Sequence, residues 1–460
     1  MSLFKTAHLV SLTALWIVGS QLVAAGLPAS SGKSAVSFTA DVAPILQRRC
    51  VACHGPEKSK GRYRLDTFAG LLKPGGDQAT VIAGRPEKSR LYQLLVEKNP
   101  DDRMPQDAEP LPAAEIAVIR AWIAGGAKFD GASTTAALTL LMPRPVHPPA
   151  PQRYAQPWPV TALAFNADGS ELIAGGCHEI TFWSATNHAL LRRVGGMPER
   201  IQALALQPGG NWLAVAGGAP GRSGELLLLN LLSNTAPRTL AVTGDAMLCA
   251  TFSPDGSRLA AGGTDKFLRV FAVKSGSEIL RLEQHSDWVH SVAFSPDGQR
   301  LASASRDRTA RIYNSTNGAA ITTFRGHEAA VEFVTFNDDG KVLLTAGTDR
   351  KVRFSGVSEP GKPGEFARFE VAVTGLARVE QSVFIALADG RVTQRRLVKR
   401  DEVQSFTGHG DRVTALAFHA ASQRLATGAH DGKVRLWNLT DGKLLGEFTA
   451  SPGFVEVAGK

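Results

Sequence analysis

The chain is poor in sulfur and has few long apolar runs. Its 460 residues include four cysteines and five methionines. Cys177 and Cys249 stand far apart in apolar, strand-like surroundings, which predicts two buried thiols rather than a disulfide. Beyond the N-terminus no run is long and apolar enough to span a bilayer. The net charge of +9 comes from scattered Lys and Arg that Asp and Glu match locally. This pattern does not indicate a nucleic-acid partner.

The N-terminal stretch MSLFKTAHLVSLTALWIVGSQLVAAG predicts export. One early Lys is followed by an apolar run from Leu9 to Val18 and then by small residues. This order is typical of a secretory signal peptide, with cleavage near Ala25. A retained membrane anchor is the weaker alternative, because polar residues interrupt a run that is already short for a bilayer. We therefore predict a signal peptide at residues 1–25 and an exported, periplasmic protein with no integral membrane segment after cleavage.

The stretch RRCVACHGPEKSK places Cys50, Cys53 and His54 within five residues. A zinc site needs a second pair of ligands, and residues 26–146 hold no other Cys or His. A redox dithiol of the thioredoxin type would want a βαβ context, which the surrounding sequence does not supply. C-x-x-C-H is the signature of covalent c-type haem attachment. We therefore predict one covalent haem c, with thioethers to Cys50 and Cys53 and with His54 as an axial ligand of the iron.

The segment DVAPILQRRCVACHG is helix-like, because its apolar residues Val42, Ile45 and Leu46 recur with helical spacing. Positions three and four apart share one face of a helix. The two cysteines are therefore predicted to reach the porphyrin from one face, with the adjacent histidine directed at the iron.

A second axial ligand is predicted at Met104, the only methionine between residues 26 and 141. It lies in NPDDRMPQ, and Pro105 disfavours helical geometry at the residue before it, as suits a ligand carried on a loop. A thioether favours ferrous iron, so His/Met ligation would raise the reduction potential. The alternative is that Met104 only fills a gap in the haem pocket.

These blocks together resemble the planctomycete-type cytochrome c domain over residues 38–130. The resemblance includes CVACHGPEKSKGRYRLDTFAGLLKPGG, DDRMP and LPAAEIAVIRAWIAGGA. It implies a small all-α domain in which the C-x-x-C-H residues bind haem and the methionine of the R-M-P block is the distal ligand. Gln106 stands where that block often has a second proline, which leaves the ligand untouched.

The last of these blocks also predicts a helix by itself. Pro112 lies near its first turn, Ile119 and Ile123 share a face beside Trp122, and Gly125 with the next glycine ends it. We predict that this face packs over the porphyrin and excludes water from it.

Residues 131–157 form a proline-rich linker, in which His147 is predicted to be solvated. Beyond it the sequence repeats with a period of roughly forty residues, in seven copies that begin near 160, 201, 248, 289, 331, 373 and 413. Each copy reads as apolar strands separated by turns such as Pro-Asp-Gly. Four strands in each of seven units make a seven-bladed β-propeller over residues 158–450.

The repeats closely resemble the WD40 family, in which a His, a Ser or Thr, an Asp and a Trp join in one hydrogen-bonded set. Blade seven holds the full set, namely His409, Thr427, Asp431 and Trp437. Blades four and five keep His285 with Asp307 and His327 with Asp349 but end in Tyr313 and Phe354, and blades one, two and six lack much of it. Because the groups recur once per blade, we interpret them as structural. The sequence leaves open whether the linker or the segment from Leu444 to Thr449 completes the outer edge where the ring closes.

The overall prediction is a multidomain protein, an all-α cytochrome c domain followed by an all-β propeller. Haem c with two protein ligands serves one-electron transfer, and a WD40 ring supplies a rigid face for a redox partner protein. An electron carrier is favoured over a catalyst. The alternatives are a haem-based redox or gas sensor or scaffold and, less favoured, a propeller-type cytochrome oxidoreductase with a second cofactor.

Overall fold

The computed structural model describes residues 36–51, 53–55, 63–74, 79–106, 109–136, 138–141, 146–233, 235–358 and 363–455. The predicted signal peptide lies outside these residues. The first part of the described chain is helical, and its elements are a π-helical turn at Phe38–Val42, α1 at Ala43–Arg49, α2 at Phe68–Leu72, a 3-10 turn at Pro86–Lys88, α3 at Arg90–Leu95, α4 at Ala113–Ala124 and α5 at Leu138–Leu141. No helix among those described has the length and apolarity to cross a membrane.

Aromatic side chains form the centre of the helical part. The ring of Phe38 lies edge-on to Phe68 at 4.8 Å between centroids and 5.3 Å from Trp122. Phe129 packs against Phe68 at 4.5 Å. The apolar face predicted for α1, which includes Leu46, is buried in the same core. Burial of these large side chains is the main term that stabilises so small a unit.

α4 confirms the helix predicted after Pro112. It begins at Ala113, and Gly125 and Gly126 end it, the latter with φ of +97°. Such a backbone angle suits glycine, which has no Cβ to clash.

The second part of the chain is a seven-bladed β-propeller, as predicted. Every blade is an antiparallel sheet of four consecutive strands. The strands are, in blade one, β1 Leu163–Phe165, β2 Glu171–Gly175, β3 Glu179–Ser184 and β4 Leu190–Gly195; in blade two, β5 Arg200–Leu206, β6 Trp212–Ala219, β7 Ser223–Asn230 and β8 Arg238–Thr243; in blade three, β9 Met247–Phe252, β10 Arg258–Gly263, β11 Leu268–Ala272 and β12 Glu278–Leu282; in blade four, β13 Val289–Phe294, β14 Arg300–Ser305, β15 Thr309–Asn314 and β16 Ala320–Arg325; in blade five, β17 Val331–Phe336, β18 Val342–Gly347, β19 Lys351–Gly356 and β20 Gly364–Arg368; in blade six, β21 Val373–Val379, β22 Ser382–Leu387, β23 Val392–Arg396 and β24 Glu402–Phe406; and in blade seven, β25 Val413–His419, β26 Arg424–Ala429, β27 Lys433–Asn438 and β28 Leu444–Thr449.

The first strand of each blade contacts the first strands of both neighbouring blades, so these seven strands surround the axis of the ring. Because neighbouring strands are antiparallel, the first and third strands of every blade begin at the same end of the ring. We call this end the upper face and the opposite end the lower face.

The ring closes without a strand from the linker, because β28 is the outer strand of blade seven. The start of blade one is bonded to blade seven instead. The backbone N–H of Val160 donates to Ala429 O at 3.1 Å, and the Thr414 hydroxyl donates to Val160 O at 2.6 Å. The Trp158 N–H donates to the Ser451 hydroxyl at 2.8 Å. The structure thereby answers the question that the sequence left open.

The four residues of the WD40 set come together in blade seven as predicted, and three of them are joined by hydrogen bonds. The Thr427 hydroxyl lies 2.7 Å from His409 Nε2 and accepts the Trp437 indole N–H at 2.9 Å. His409 Nδ1 lies 3.7 Å from Asp431. Blade four repeats the arrangement, with ring nitrogens of His285 at 2.8 Å from Asp307 and 2.7 Å from Ser303.

Blade five pairs His327 with Asp349 at 3.0 Å and with Thr345 at 2.9 Å. Its closing residue differs from the prediction. Ser355, not Phe354, stands opposite Leu343, in the register that Trp437 has opposite Leu425 in blade seven.

The linker is bonded to blade one through a buried carboxylate. Glu179, at the start of β3, accepts the Tyr154 hydroxyl at 2.7 Å and a bidentate pair from Arg193 at 2.7 and 2.8 Å. Arg193 also donates to the carbonyls of Pro151 and Gln152. The Tyr154 oxygen in turn accepts the Cys177 N–H at 2.9 Å. A buried charge is stable only when paired in this way.

Blade two has a similar buried carboxylate that is paired with a linker residue. Glu225, near the start of β7, is fully buried and lies 2.5 Å from His147 Nε2. The prediction that His147 is solvated is therefore wrong. Earlier linker residues belong with the helical part, since Leu138 lies in its core and α5 contacts both α1 and β8.

Candidate haem site

One cavity of about 450 Å³ in the helical part brings together the four residues predicted to hold haem, Cys50, Cys53, His54 and Met104. They come from two segments fifty residues apart in sequence. Ligand pockets commonly have volumes of about 300–1,000 Å³, so this one has the size of a cofactor site.

The cysteines and the histidine stand on a single turn that follows α1. The structure ends the α-helix at Arg49, so the prediction of a helix through the whole motif is wrong in this detail. The chain still keeps a helical spacing there. The N–H groups of Cys53 and His54 donate to Cys50 O at 3.1 and 3.0 Å. One turn therefore presents all three side chains to the cavity.

Two residues further along the chain, Tyr63 and Leu65, support His54. Its carbonyl accepts the Leu65 N–H at 2.7 Å, in a contact that draws the chain back to the cavity. The Tyr63 ring stands perpendicular to the His54 imidazole, at 6.2 Å between centroids. Tyr63 and Leu65 both line the cavity.

Met104 lies on a loop, as the following proline predicts. Its N–H donates to Leu94 O at 2.9 Å, which fixes the loop to the last turn of α3. The loop is closed on itself as well, since the Asn99 amide donates to the Asp102 carboxylate at 2.7 Å. These bonds place Met104 in the same cavity as His54.

The apolar wall of the cavity differs from the prediction. Leu91, Leu94 and Leu95 of α3 line it, and Ile119 and Ile123 of α4 do not. The face of α4 is instead packed in the aromatic core, where Trp122 contacts Phe38. The sequence did carry a signal for α3, because leucines at 91, 94 and 95 have helical spacing.

The environment of Cys50 argues against a redox dithiol. Burial, with a smaller effect from the Glu115 charge and from Cys53, raises the pKa of the Cys50 thiol to about 12. Reactive cysteines of the C-x-x-C type have depressed pKa values, because the thiolate is the nucleophile. An unmodified Cys50 is therefore a neutral thiol at physiological pH, and a neutral thiol is not the nucleophilic form.

All four cysteines are free thiols in the structure. Cys249 is buried as predicted, and burial raises its pKa to about 12. Cys177 is only partly buried, so the prediction of a buried thiol is wrong for this residue.

The donor set fits haem c. Two thiols for thioether bonds, an imidazole and a thioether line the cavity together with leucines that form its apolar wall. Two cations, Arg49 and Arg90, line it as well and suit the carboxylates of the porphyrin edge. The Arg49 guanidinium already pairs with Glu115 at 3.1 Å.

The fold and this cavity define a class of protein: a WD40 propeller joined to a small helical part that carries a cytochrome-c-like haem motif. Comparisons with known proteins agree. Residues 50–107 match the Planctomycete cytochrome C family, which implies haem c binding. Residues 237–271, 276–314, 318–354 and 400–438 match the WD domain, G-beta repeat. Both resemblances seen in the sequence are thereby confirmed.

A probable serine/threonine-protein kinase, PkwA, from Thermomonospora curvata is 47% identical to the chain over 55 residues. The similar segment spans 12% of this chain and 7% of that protein. The likeness therefore concerns a short segment and not the whole protein.

Each matched WD repeat begins on or just before the outer strand of one blade and ends on the third strand of the next. Consecutive repeats thus join neighbouring blades. Among the described residues no strand precedes β1 in this way, and the linker residue Tyr154 is bonded to blade one instead.

Proposed function

We propose that this protein is an exported mono-haem c-type cytochrome that performs one-electron transfer, and that its propeller is the platform on which a partner protein docks. The observation that carries the proposal is the single cavity shared by Cys50, Cys53, His54 and Met104. An all-α cytochrome c domain spanning residues 38–130 is part of the proposal. The family match from residue 50 to residue 107 supports it.

In this proposal Cys50 and Cys53 hold the haem covalently, and His54 and Met104 are the axial ligands. The bound haem supplies a one-electron Fe(III)/Fe(II) couple. The protein residues orient the group and exclude water from it. The Met104 loop is fixed to α3 by its hydrogen bond to Leu94, so the sulfur is pre-positioned rather than recruited.

The proposed export agrees with the chemistry, because c-type attachment is completed outside the cytoplasm. The signal peptide at residues 1–25 and the periplasmic location belong to this proposal. The WD40 ring supports a docking role, since it offers a rigid face of loops and no chemistry of its own.

The proposal is tested by co-expressing the full chain with a c-haem maturation system and recording reduced and oxidised spectra. We expect covalent haem, one per chain, with the far-red ferric band that a methionine sulfur ligand produces. Met104→Ala should retain the covalent haem and lose this band. Cys50→Ala/Cys53→Ala should lose covalent attachment.

Met142→Ala is the matched control, because it removes a methionine of the linker and should leave the spectrum unchanged. Carbon monoxide separates electron transfer from gas sensing. An electron carrier with a firm Met104 ligand should not bind carbon monoxide at neutral pH, whereas Met104→Ala should. Binding by the unaltered protein would move the function to a sensor, and a chain without covalent haem would overturn the proposal.

A further inference from the structure

The upper face of blades three, four and five presents a repeated cation. Lys266, Arg308 and Arg350 occupy the same position, in the turn between the second and third strands of their blades. Each is exposed and has a left-handed backbone, with φ of +72°, +68° and +66°. Blades six and seven have glycine at this position, Gly390 and Gly432. Glycine adopts this conformation without strain, whereas blades three to five carry a base at it.

Each of these bases follows an aspartate whose carboxylate is bonded to a side chain of the same blade. Asp265 binds Arg269 at 3.1 Å, Asp307 lies 2.8 Å from His285, and Asp349 lies 3.0 Å from His327. The turns therefore direct their carboxylates inward and carry their cations at the tip.

The same face carries an aromatic side chain in contact with a further cation, Arg306 of blade four. Trp288 precedes β13, and the exposed guanidinium of Arg306 lies over its ring at 4.7 Å. The face also holds carboxylates, Glu283, Asp287 and Glu328 among them, and Glu328 is paired with Lys351 at 2.8 Å. Aromatic residues with arginine are typical of the central contacts of protein interfaces.

The lower face differs at its turns between the first and second strands. Its turns between the first and second strands expose Asp168, Asp255, Asp297 and Asp339. Each of these carboxylates accepts a backbone N–H two residues further along the turn. At these two kinds of turn the exposed charged residue is therefore a base on the upper face of blades three to five and an aspartate on the lower face of blades one and three to five.

The linker binds at the same end as the cations. Glu179 and Glu225 stand at the starts of third strands, and therefore at the upper face of blades one and two. The linker joins the haem-bearing part to this end of the ring through Tyr154 and His147. A protein seated on blades three to five would lie at the end of the ring from which the linker leads to the haem.

We propose that the upper face of blades three to five, marked by Lys266, Arg308, Arg350 and Trp288, docks an acidic segment of the redox partner protein. The identity of the partner as a redox protein rests on the proposed function. Charge complementarity steers such an encounter and makes it dependent on salt. The aromatic ring supplies the apolar contact that opposite charges alone lack.

The test uses the full chain and a fluorescein-labelled decaglutamate peptide as the acidic probe, with binding followed by fluorescence anisotropy. The variant is Lys266→Gly/Arg308→Gly/Arg350→Gly, which removes three charges and adopts the residue that blades six and seven already use. The control is Lys274→Ala/Lys341→Ala/Lys443→Ala, which removes three exposed charges from lower-face turns.

We expect the upper-face variant to raise the Kd of the peptide about tenfold at low salt, the effect of three exposed ion pairs. The control should stay within about twofold of the unaltered protein, and salt should weaken binding in both. Equal losses in the two variants, or no loss in either, would overturn the proposal. The proposal would also be overturned if labelled decathymidylate, or anionic phosphatidylserine vesicles, bound more tightly than the peptide and the upper-face variant abolished that binding.

Absorption spectra of the same samples keep the two proposals apart. The upper-face variant should have the haem spectrum of the unaltered protein, because its three residues lie on the propeller. Absence of haem with intact peptide binding would defeat the proposed function alone. Intact haem with no preference for the upper face would defeat the docking proposal alone.

Discussion

Removal of one hydroxyl group should loosen the linker from the propeller. In Tyr154→Phe the ring keeps its packing, but Glu179 loses a hydrogen bond of 2.7 Å and the Cys177 N–H loses its acceptor. Hydrogen bonds to charged groups contribute about 1.5–3 kcal/mol, and an orphaned buried donor costs about 1–3 kcal/mol. Because Arg193 still neutralises Glu179, we expect a loss of about 2–3 kcal/mol in the free energy of unfolding.

The assay is urea unfolding followed by tryptophan fluorescence, with trypsin cleavage after Arg153 as a local probe of the linker. Tyr92→Phe, in α3, is the matched control and should change stability by less than about 0.5 kcal/mol. Burial, followed by the hydrogen bond to Glu179, raises the pKa of Tyr154. The stabilisation is therefore complete below about pH 10 and is lost as the pH rises through the folded pKa. Equal urea midpoints for Tyr154→Phe and the unaltered protein at neutral pH would refute this account of the linker.

Three further predictions concern the WD40 hydrogen bonds and the cysteines. Burial would raise the pKa of Asp307, but hydrogen bonds from His285 and Thr309 outweigh it and hold the pKa below its usual value. The stabilisation is therefore present above about pH 4 and lost as the pH falls through the depressed folded pKa, and Asp307→Asn should flatten the acid side of a stability-against-pH curve. Thr427→Val leaves His409 and Trp437 without their shared partner and should cost about 1–3 kcal/mol in urea unfolding, whereas Thr440→Val on an exposed turn should cost little. Mass spectrometry of denatured protein should find haem still attached in Cys50→Ser and in Cys53→Ser through the remaining thioether, absent in the double variant, and unaffected in Cys177→Ser.

The repeat made the propeller predictable, because a period of about forty residues specifies the number of blades without any long-range contact. The hydrogen-bonded set of blade seven followed from the same repetition. Blade five was misjudged by one residue, since Phe354 is an aromatic beside the closing position and only strand register identifies Ser355.

The four residues proposed to hold haem could be singled out because cysteine and methionine are rare in this chain. A local motif gave Cys50, Cys53 and His54, and scarcity singled out Met104. The cavity wall was not predictable in the same way. Both α3 and α4 have apolar faces, and only the folded arrangement shows that α4 packs in the aromatic core while α3 lines the cavity.

The linker contacts lay beyond sequence reasoning for a different reason. Buried glutamates are rare unless paired, and their partners here come from 25 and 78 residues upstream in a proline-rich segment with no periodic pattern. The signal was a carboxylate near the start of the third strand in blades one and two, which lack the WD40 histidine. Its meaning depends on seeing His147 and Tyr154 beside it.

The most direct test of the central claim is the ferric spectrum of the matured full chain and of Met104→Ala. Covalent haem in both, with the far-red methionine-ligand band only in the unaltered protein, is the result that His54/Met104 ligation predicts. Covalent haem with identical far-red spectra in the two proteins would contradict the ligation by Met104 and, with it, the account of this protein as an electron carrier.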